Sequence, residues 1–269
     1  MKAILTDVTK CIGCSECVSA CKVINHLPPD KPREWQKNDG LSARNWTSVL
    51  NNDKFNVRKQ CRHCIEPACV TACPVGALNK SGIGAVVYDS NKCLGCRYCM
   101  MACPYGIPRY DWELAVPYIR KCILCYDNLK SGKITQPACT KGCPTGATIY
   151  GERNDLLNIA RLRIKQEPDK YLDLIYGEKE VGGTNVLYIT SKDCSLDFLF
   201  YYNNRIEKDV KLLGQPDFNE PYPQLSKFAM NSVPIAFVGM GAVMTGIYWV
   251  INRRKKIEKE NKGIEDGED

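Results

Sequence analysis

Apolar residues in this chain fall mostly in short blocks, cut apart by cysteines, glycines and prolines. The first block holds Ala3, Ile4, Leu5 and Val8 and predicts a short strand running straight into Cys11. Residues 46–50 and 55–58 flank a polar turn at 51–54 and predict a hairpin. Residues 79–84 predict a turn, with a strand over 85–89. Further on, Leu156, Leu157, Ile159, Ala160, Leu162 and Ile164 recur near helical spacing. They predict a helix over 155–165 with Asn154 as its cap. Residues 181–189 predict a glycine turn leading into a buried strand. One run is different in kind: residues 228–251 carry no charge, and that length spans a bilayer. Tyr248 and Trp249 sit where an interfacial belt would be, and Gly239, Gly241, Ala242 and Gly246 would let another helix approach closely. A buried core helix is the rival reading, but polar linkers on both sides leave this segment no second layer to hide in.

The cysteines change the picture more than any apolar pattern. There are 17 of them, and two explanations compete at that density: a disulfide framework or metal sites. Disulfide scaffolds are short and secreted. This chain has 269 residues and spaces its cysteines in tight runs. Cys11, Cys14, Cys17 and Cys21 form the first group. Cys61, Cys64, Cys69 and Cys73 form the second, Cys93, Cys96, Cys99 and Cys103 the third, and Cys122, Cys125, Cys139 and Cys143 the fourth. Pro74, Pro104 and Pro144 close three groups, while Lys22 stands in that place in the first. This is an internal repeat of four, and only Cys194 is left over. Three cysteines on one tight loop can hold three corners of an iron–sulfur cubane, while the fourth, on the turn that follows, serves a neighbouring cluster. Zinc also takes C-x2-C pairs, but a repeated C-x2-C-x2-C loop with a displaced fourth ligand is not a zinc pattern.

Spacing also proposes partners. Residues 61–103 have the span of a small two-cluster unit, so the first and fourth groups flank it and pair with each other. Then Cys11, Cys14 and Cys17 go with Cys143, and Cys122, Cys125 and Cys139 with Cys21. Cys61, Cys64 and Cys69 go with Cys103, and Cys93, Cys96 and Cys99 with Cys73. Pairing group one with two, and three with four, stays open on spacing alone. The formal charge of +7 first invites a nucleic-acid partner. Four oxidised clusters with thiolate ligands would bring about −8, so the excess reads as compensation for clusters. Arg109, Arg120 and Lys121 are expected near them as offsetting cations.

The remaining features bound the function. No nucleotide loop, no nucleophile elbow and no haem-attachment motif occurs, so no catalytic residues are assigned. Cys194 is expected as a packed thiol, because neither histidine, His26 or His63, lies in that half. Residues 26–58 read as a surface insertion, with a partner-docking surface as the rival. The expected organisation is a double cluster domain over 1–150, an α/β extension over 151–213, a linker over 214–227, the apolar span over 228–251 and a charged tail over 252–269. Arg253, Arg254, Lys255 and Lys256 follow the span directly, which places the tail in the cytoplasm and the cluster domain on the outer side of the inner membrane. The N-terminus has no signal-peptide pattern, so export is expected as a folded passenger of a signal-bearing partner.

The four groups, the Cys-Pro-Val-Gly-Ala77 and Cys-Pro-Thr-Gly-Ala147 sequences, and the 182–188 segment resemble the four-cluster iron–sulfur beta subunits of membrane oxidoreductases. Respiratory formate dehydrogenase and the hydrogenase of the same electron-transfer plan are the nearest types. The resemblance covers essentially the whole chain. It implies an α+β fold of two interleaved bacterial ferredoxin-like modules, one inserted in the other, plus a single C-terminal transmembrane helix. It also implies four [4Fe–4S] clusters on the 16 cysteines named above. Electrons would pass from a catalytic molybdopterin or nickel-iron subunit to an integral membrane cytochrome b or quinone-binding subunit. The formate dehydrogenase type is favoured, a hydrogenase or another molybdopterin complex is the alternative, and a membrane-tethered zinc module is the remote one.

Overall fold

The computed structural model describes residues 1–30, 39–52, 54–114, 118–194 and 239–254. The chain divides into two compact units, Met1–Pro223 and Gln224–Asp269. In chain order the first unit runs β1 (Lys2–Asp7), α1 (Glu16–Ile24), β2 (Thr47–Asn52), β3 (Phe55–Gln60), α2 (Ala68–Thr71), β4 (Leu78–Lys80), β5 (Val86–Tyr88) and α3 (Tyr98–Ala102). It continues with β6 (Arg109–Tyr110), β7 (Ile119–Arg120), α4 (Tyr126–Lys130), α5 (Ala138–Lys141), β8 (Thr148–Glu152), α6 (Arg153–Gln166) and β9 (Val186–Ile189).

The centre is a three-stranded sheet of order β8-β1-β9. β8 pairs antiparallel with β1, from Lys2↔Glu152 to Thr6↔Thr148, and β9 pairs parallel, from Ile4↔Val186 to Asp7↔Ile189. Alternation along these strands divides the side chains between two faces. Ala3, Leu5, Leu187 and Ile189 meet Leu156, Leu157, Ala160 and Ile164 of α6. Ile4, Val186 and Tyr188 face the other way, onto Val57, Leu124 and Cys139. One face therefore makes an apolar core with a helix, and the other forms the floor of the cysteine region.

Strand and helix pairings tie the four cysteine groups together two by two. The β1–β8 ladder and the packing of α1 on α5 join the first group to the fourth. The β4–β5 hairpin, Leu78↔Tyr88 to Lys80↔Val86, and the packing of α2 on α3 join the second to the third. The second pair lies within the first along the chain, as an insertion requires.

Several local expectations shift. β1 stops at Asp7, because the Asp7 carboxylate accepts from the Thr9 amide at 3.2 Å and starts a 3-10 turn over Val8–Lys10. The predicted hairpin exists, but its strands run on to Asn52, inside the expected turn, and to Gln60 at the open end. Asn79 and Lys80 belong to β4 rather than to a turn. α6 begins at Arg153, so Asn154 is inside it and not its cap. Glu152 takes the cap position without capping, since its carboxylate is held by the N-terminal amine at 2.9 Å and Lys2 at 2.8 Å.

Lys22 has a visible consequence. α2, α3 and α5 end before Cys73, Cys103 and Cys143, because the residue before a proline is disfavoured in the helical region. With Lys22 instead, α1 carries Cys21 inside the helix and runs on to Ile24.

In the second unit, residues 239–254 form a helix, α7, with its apolar side chains exposed, among them Met240, Met244, Ile247 and Trp249. Among the described residues no helix is long and apolar enough to cross a membrane. Residues 228–238, the first half of the expected span, lie outside the described residues, as do 195–227 and 255–269.

Candidate metal centres

Each cysteine group opens on the same backbone device. The residue before the second cysteine is left-handed in all four: Gly13 at φ 75°, His63 at 49°, Gly95 at 71° and Leu124 at 60°. Glycine takes this conformation freely, whereas His63 and Leu124 are strained there. Both are buried, His63 at 0% and Leu124 at 1% exposure. The His63 Nδ1 accepts from the Val86 amide at 2.9 Å, so packing holds a conformation that composition does not favour. A second device follows the fourth cysteine. Gly76, Gly106 and Gly146 have φ near 60° (62°, 58° and 62°). They turn the chain so that the next amide points back. Ala77 donates to the Cys73 sulfur at 3.2 Å and Ile107 to the Cys103 sulfur at 3.5 Å. Asn25 replaces this turn in the first group, donating from its side chain to the Cys21 sulfur at 3.5 Å.

Among the described residues no three ligands stand close enough to grip a single metal ion, but cysteines of two groups line common cavities. Cys21, Cys122, Cys125 and Cys139 line one cavity together with Gln60 and Trp46. Cys73, Cys93, Cys96 and Cys99 line another. Burial raises both Cys11 and Cys17; the neighbouring thiols that add to this are Cys143 and Cys14 for Cys11, and Cys139, Cys11 and Cys14 for Cys17. Cys69 is influenced by Cys103, Cys61 and Cys64. Two of the sets that spacing proposed, those of Cys21 and Cys73, therefore each line one cavity. None of the 17 cysteines is in a disulfide. Cys194 packs as a core thiol with Ile4, Val57 and Tyr188.

Burial grades the sets. All four cysteines of the Cys21 set are buried, and so are Cys61 and Cys103 of the Cys61 set. Cys14 and Cys96 are exposed, which brings the other two sets to the surface. Burial raises the Cys17 thiol to about 11 and the Cys21 and Cys99 thiols to about 12. A bare thiolate is therefore unfavourable in these sites, and a metal that takes the proton's place relieves it. Cys143 goes the other way. Burial pushes it up, but the Thr148 and Ala147 amides and the Thr145 hydroxyl outweigh that and hold it below the usual thiol range.

Buried donors surround these sets without oxygen partners. The Nε, Nη1 and Nη2 of Arg58, the Nε2 of Gln60, the Nη1 of Arg62 and the Nε2 of His63 have no oxygen partner. Unpartnered buried polar atoms are costly, and a cluster's sulfur atoms are the acceptors that would satisfy them. On this ground the residues present fit [4Fe–4S] groups. Two lysines lie in the same region but do have oxygen partners. Lys80 donates to the carbonyls of His63 and Cys64 at 2.8 and 2.6 Å. Lys121 donates to the carbonyls of Val86 and Cys122, and its charge lowers the Cys69 thiol.

Of the three expected cations, Lys121 alone faces a cysteine set directly. Arg109 is bound to Asp39 at 2.5 Å and to the Leu41 carbonyl at 3.2 Å, and Arg120 lies 3.8 Å from Asp111. The segment read as a surface insertion is also corrected. Val57, Arg58, Lys59 and Gln60 are all buried, and Leu41 packs with Cys61, Cys103 and Cys122. The hairpin carries Arg58 and Gln60 into the cysteine region. The signal was its sequence: Val57-Arg-Lys-Gln60 directly precedes Cys61, so a strand there has to deliver polar side chains beside a ligand loop.

Comparison with known proteins agrees with this geometry. Residues 53–153 match the family model of the 4Fe-4S dicluster domain. A protein of Nitratidesulfovibrio vulgaris Hildenborough is 35% identical over 96% of this chain and 69% of its own length. The hydrogenase-2 operon protein HybA of Escherichia coli O157:H7 is 38% identical, covering 69% of each chain. The formate dehydrogenase-O iron-sulfur subunit of Escherichia coli K12 is 37% identical over 69% of this chain and 65% of its own. With the repeated cysteine loops and these relatives in agreement, the chain belongs to the family of ferredoxin-like iron–sulfur subunits that carry the 4Fe-4S dicluster domain.

Proposed function

We propose that this chain is an electron-relay subunit with four [4Fe–4S] clusters, bound by the four cysteine sets. The observation that carries the reading is the grading of those sets: the Cys21 set is buried throughout, the Cys61 set is half-buried, and the other two reach the surface at Cys14 and Cys96. The groups themselves supply reversible one-electron chemistry when bound. The chain supplies their order. Cys139 and Cys143 flank the end of α5, which links the Cys11 set to the Cys21 set. Cys122 and Cys61 share an apolar cluster, which links the Cys21 set to the Cys61 set. Cys99 and Cys103 flank the end of α3, which links the Cys61 set to the Cys73 set. Electrons enter or leave at Cys14 and Cys96, and the buried middle keeps water away.

The partners follow from the relatives' names. Hydrogenase and formate dehydrogenase relatives stand at 38% and 37% identity, so both kinds of catalytic subunit support the reading equally. We assign the other end of the relay to an integral membrane cytochrome b or quinone-binding subunit. Membrane attachment through 228–251 is supported by the absence of charge there and by the exposed apolar side chains of α7. The positive run after it favours a cytoplasmic tail and an outer cluster domain.

Metal and sulfide analysis of the anaerobically purified chain tests the reading. About sixteen irons and as many acid-labile sulfides per chain, four for each cubane, are expected. A colourless protein containing zinc would end the proposal. For the membrane side, protease added to spheroplasts should cut the cluster domain; protection of that domain would reverse the orientation.

A further inference from the structure

Arg58 sits in β3 opposite Val49 and is 1% exposed. The Tyr188 hydroxyl donates to its carbonyl at 2.7 Å, which ties this point of the strand to the central sheet. Its side chain is a buried cation without a carboxylate. Among the described residues the interior acids are committed elsewhere, Asp39 to Lys59 and Arg109, and Asp7 to Arg163. No oxygen acceptor reaches any of the three guanidinium nitrogens, and the side-chain partner of the group is the Cys139 sulfur. Such a group is strongly unfavourable by itself. What faces it is sulfur. Burial opposes its charge, yet Cys139 and Cys17 outweigh that opposition. Its strand also runs beside both sets: Asn56, two residues before it, donates to the Cys11 carbonyl at 3.4 Å, and Gln60, two residues after it, lines the cavity of Cys21, Cys122, Cys125 and Cys139. These cysteines belong to two different sets. Lys80 and Lys121 play that part for the Cys61 set, and the causes that act on Cys99 in the Cys73 set include no cation.

We propose that Arg58 is a shared counter-charge for the Cys11 and Cys21 sets, a positioning residue that raises the reduction potential of both clusters together. The inference rests on the reading that these two sets hold [4Fe–4S] groups. A fixed positive charge in a low-dielectric interior favours the more negative of two redox states, so both sites are easier to reduce with Arg58 than without it. Guanidinium suits the place better than ammonium, because it is less strongly hydrated and offers a planar fork of donors.

The test is an EPR-monitored redox titration of the full-length chain, matured anaerobically, in parent, Arg58→Met, Arg58→Gln and Arg58→Lys forms. Met and Gln remove the charge at similar volume. In both, two of four midpoints should move negative by at least tenfold in the reduction equilibrium, about 59 mV for one electron, while the other two hold. Arg58→Lys should keep all four closer to the parent. Four unmoved midpoints in a neutral variant with full iron overturn the proposal, as does an equal shift of all four. Should neither neutral variant load its outer sites while Arg58→Lys loads fully, the charge is what the sites require and the proposal stands. Failure of Arg58→Lys alongside them means that shape is what matters, which overturns it. A parent without about sixteen irons defeats the underlying reading rather than the role of Arg58.

Discussion

The outer and inner cysteine modules are built from the same repeat but held together differently. The outer one rests on a three-stranded sheet and on α6, a helix of 14 residues. Ala3, Leu5, Leu156, Leu157, Ala160, Leu187 and Ile189 form its core without help from any cysteine. The inner one has β4 and β5 of three residues each, α2 of four and α3 of five. Its apolar cluster is Leu78, Val86, Tyr110 and Ile119 completed by Cys69, Cys73 and Cys99. There the expected ligands are themselves part of the core. The difference teaches that modules of like cysteine spacing can rest on unlike cores, and it predicts that the inner one depends more on ligation than the outer one does.

Removing the clusters should separate the two most strongly. After anaerobic iron chelation, hydrogen exchange should lose protection over Val86–Tyr88 and keep it over Val186–Ile189. Equal loss in both would mean that the outer sheet also depends on metal. The next effect attacks the outer core. Leu187→Ala removes a fully buried side chain and should cost about 2–5 kcal/mol, read as a fall in the denaturant midpoint of the outer module. A smaller effect comes from Asp7, which is 0% exposed. It accepts from the Tyr171 hydroxyl at 2.9 Å and from Arg163 at 3.0 Å. Asp7→Asn should cost about 1–3 kcal/mol and show in the same denaturation curve.

The smallest is a pH effect on the hairpin side. Burial pushes the Asp39 carboxyl up, but Arg109 and Lys59 outweigh it and hold its pKa below the usual carboxylate range. A depressed carboxyl contributes stability above its unfolded value, about 3.9, and loses it as pH falls through the lower folded value. Asp39→Asn should therefore be weaker than the parent near neutral pH, with the two converging below about pH 3 to 4. A constant gap across that range would remove Asp39 from the account.

The four groups and the strand at β9 were legible in the cysteine spacing and in residues 181–189. Spacing works here because each loop is local and its geometry is nearly invariant. What the sequence hid was set by tertiary context. His63 and Leu124 take a left-handed conformation that glycine occupies in the other two loops, and nothing local announces that. The polar run Val57-Arg-Lys-Gln60 reads as surface because charged residues usually are. Burial beside sulfur inverts that rule. Glu152 outcompeted Asn154 at the start of α6 because the chain's own N-terminus, 151 residues away, holds it.

The most direct measurement is a density map of the anaerobically loaded chain, phased on iron. The account predicts four cubanes, with Cys21 bound to the cluster of Cys122, Cys125 and Cys139, and Cys143 bound to that of Cys11, Cys14 and Cys17. A map in which Cys21 joins its own loop-mates Cys11, Cys14 and Cys17 on one cluster, or in which fewer than four clusters occupy the sets, would contradict it.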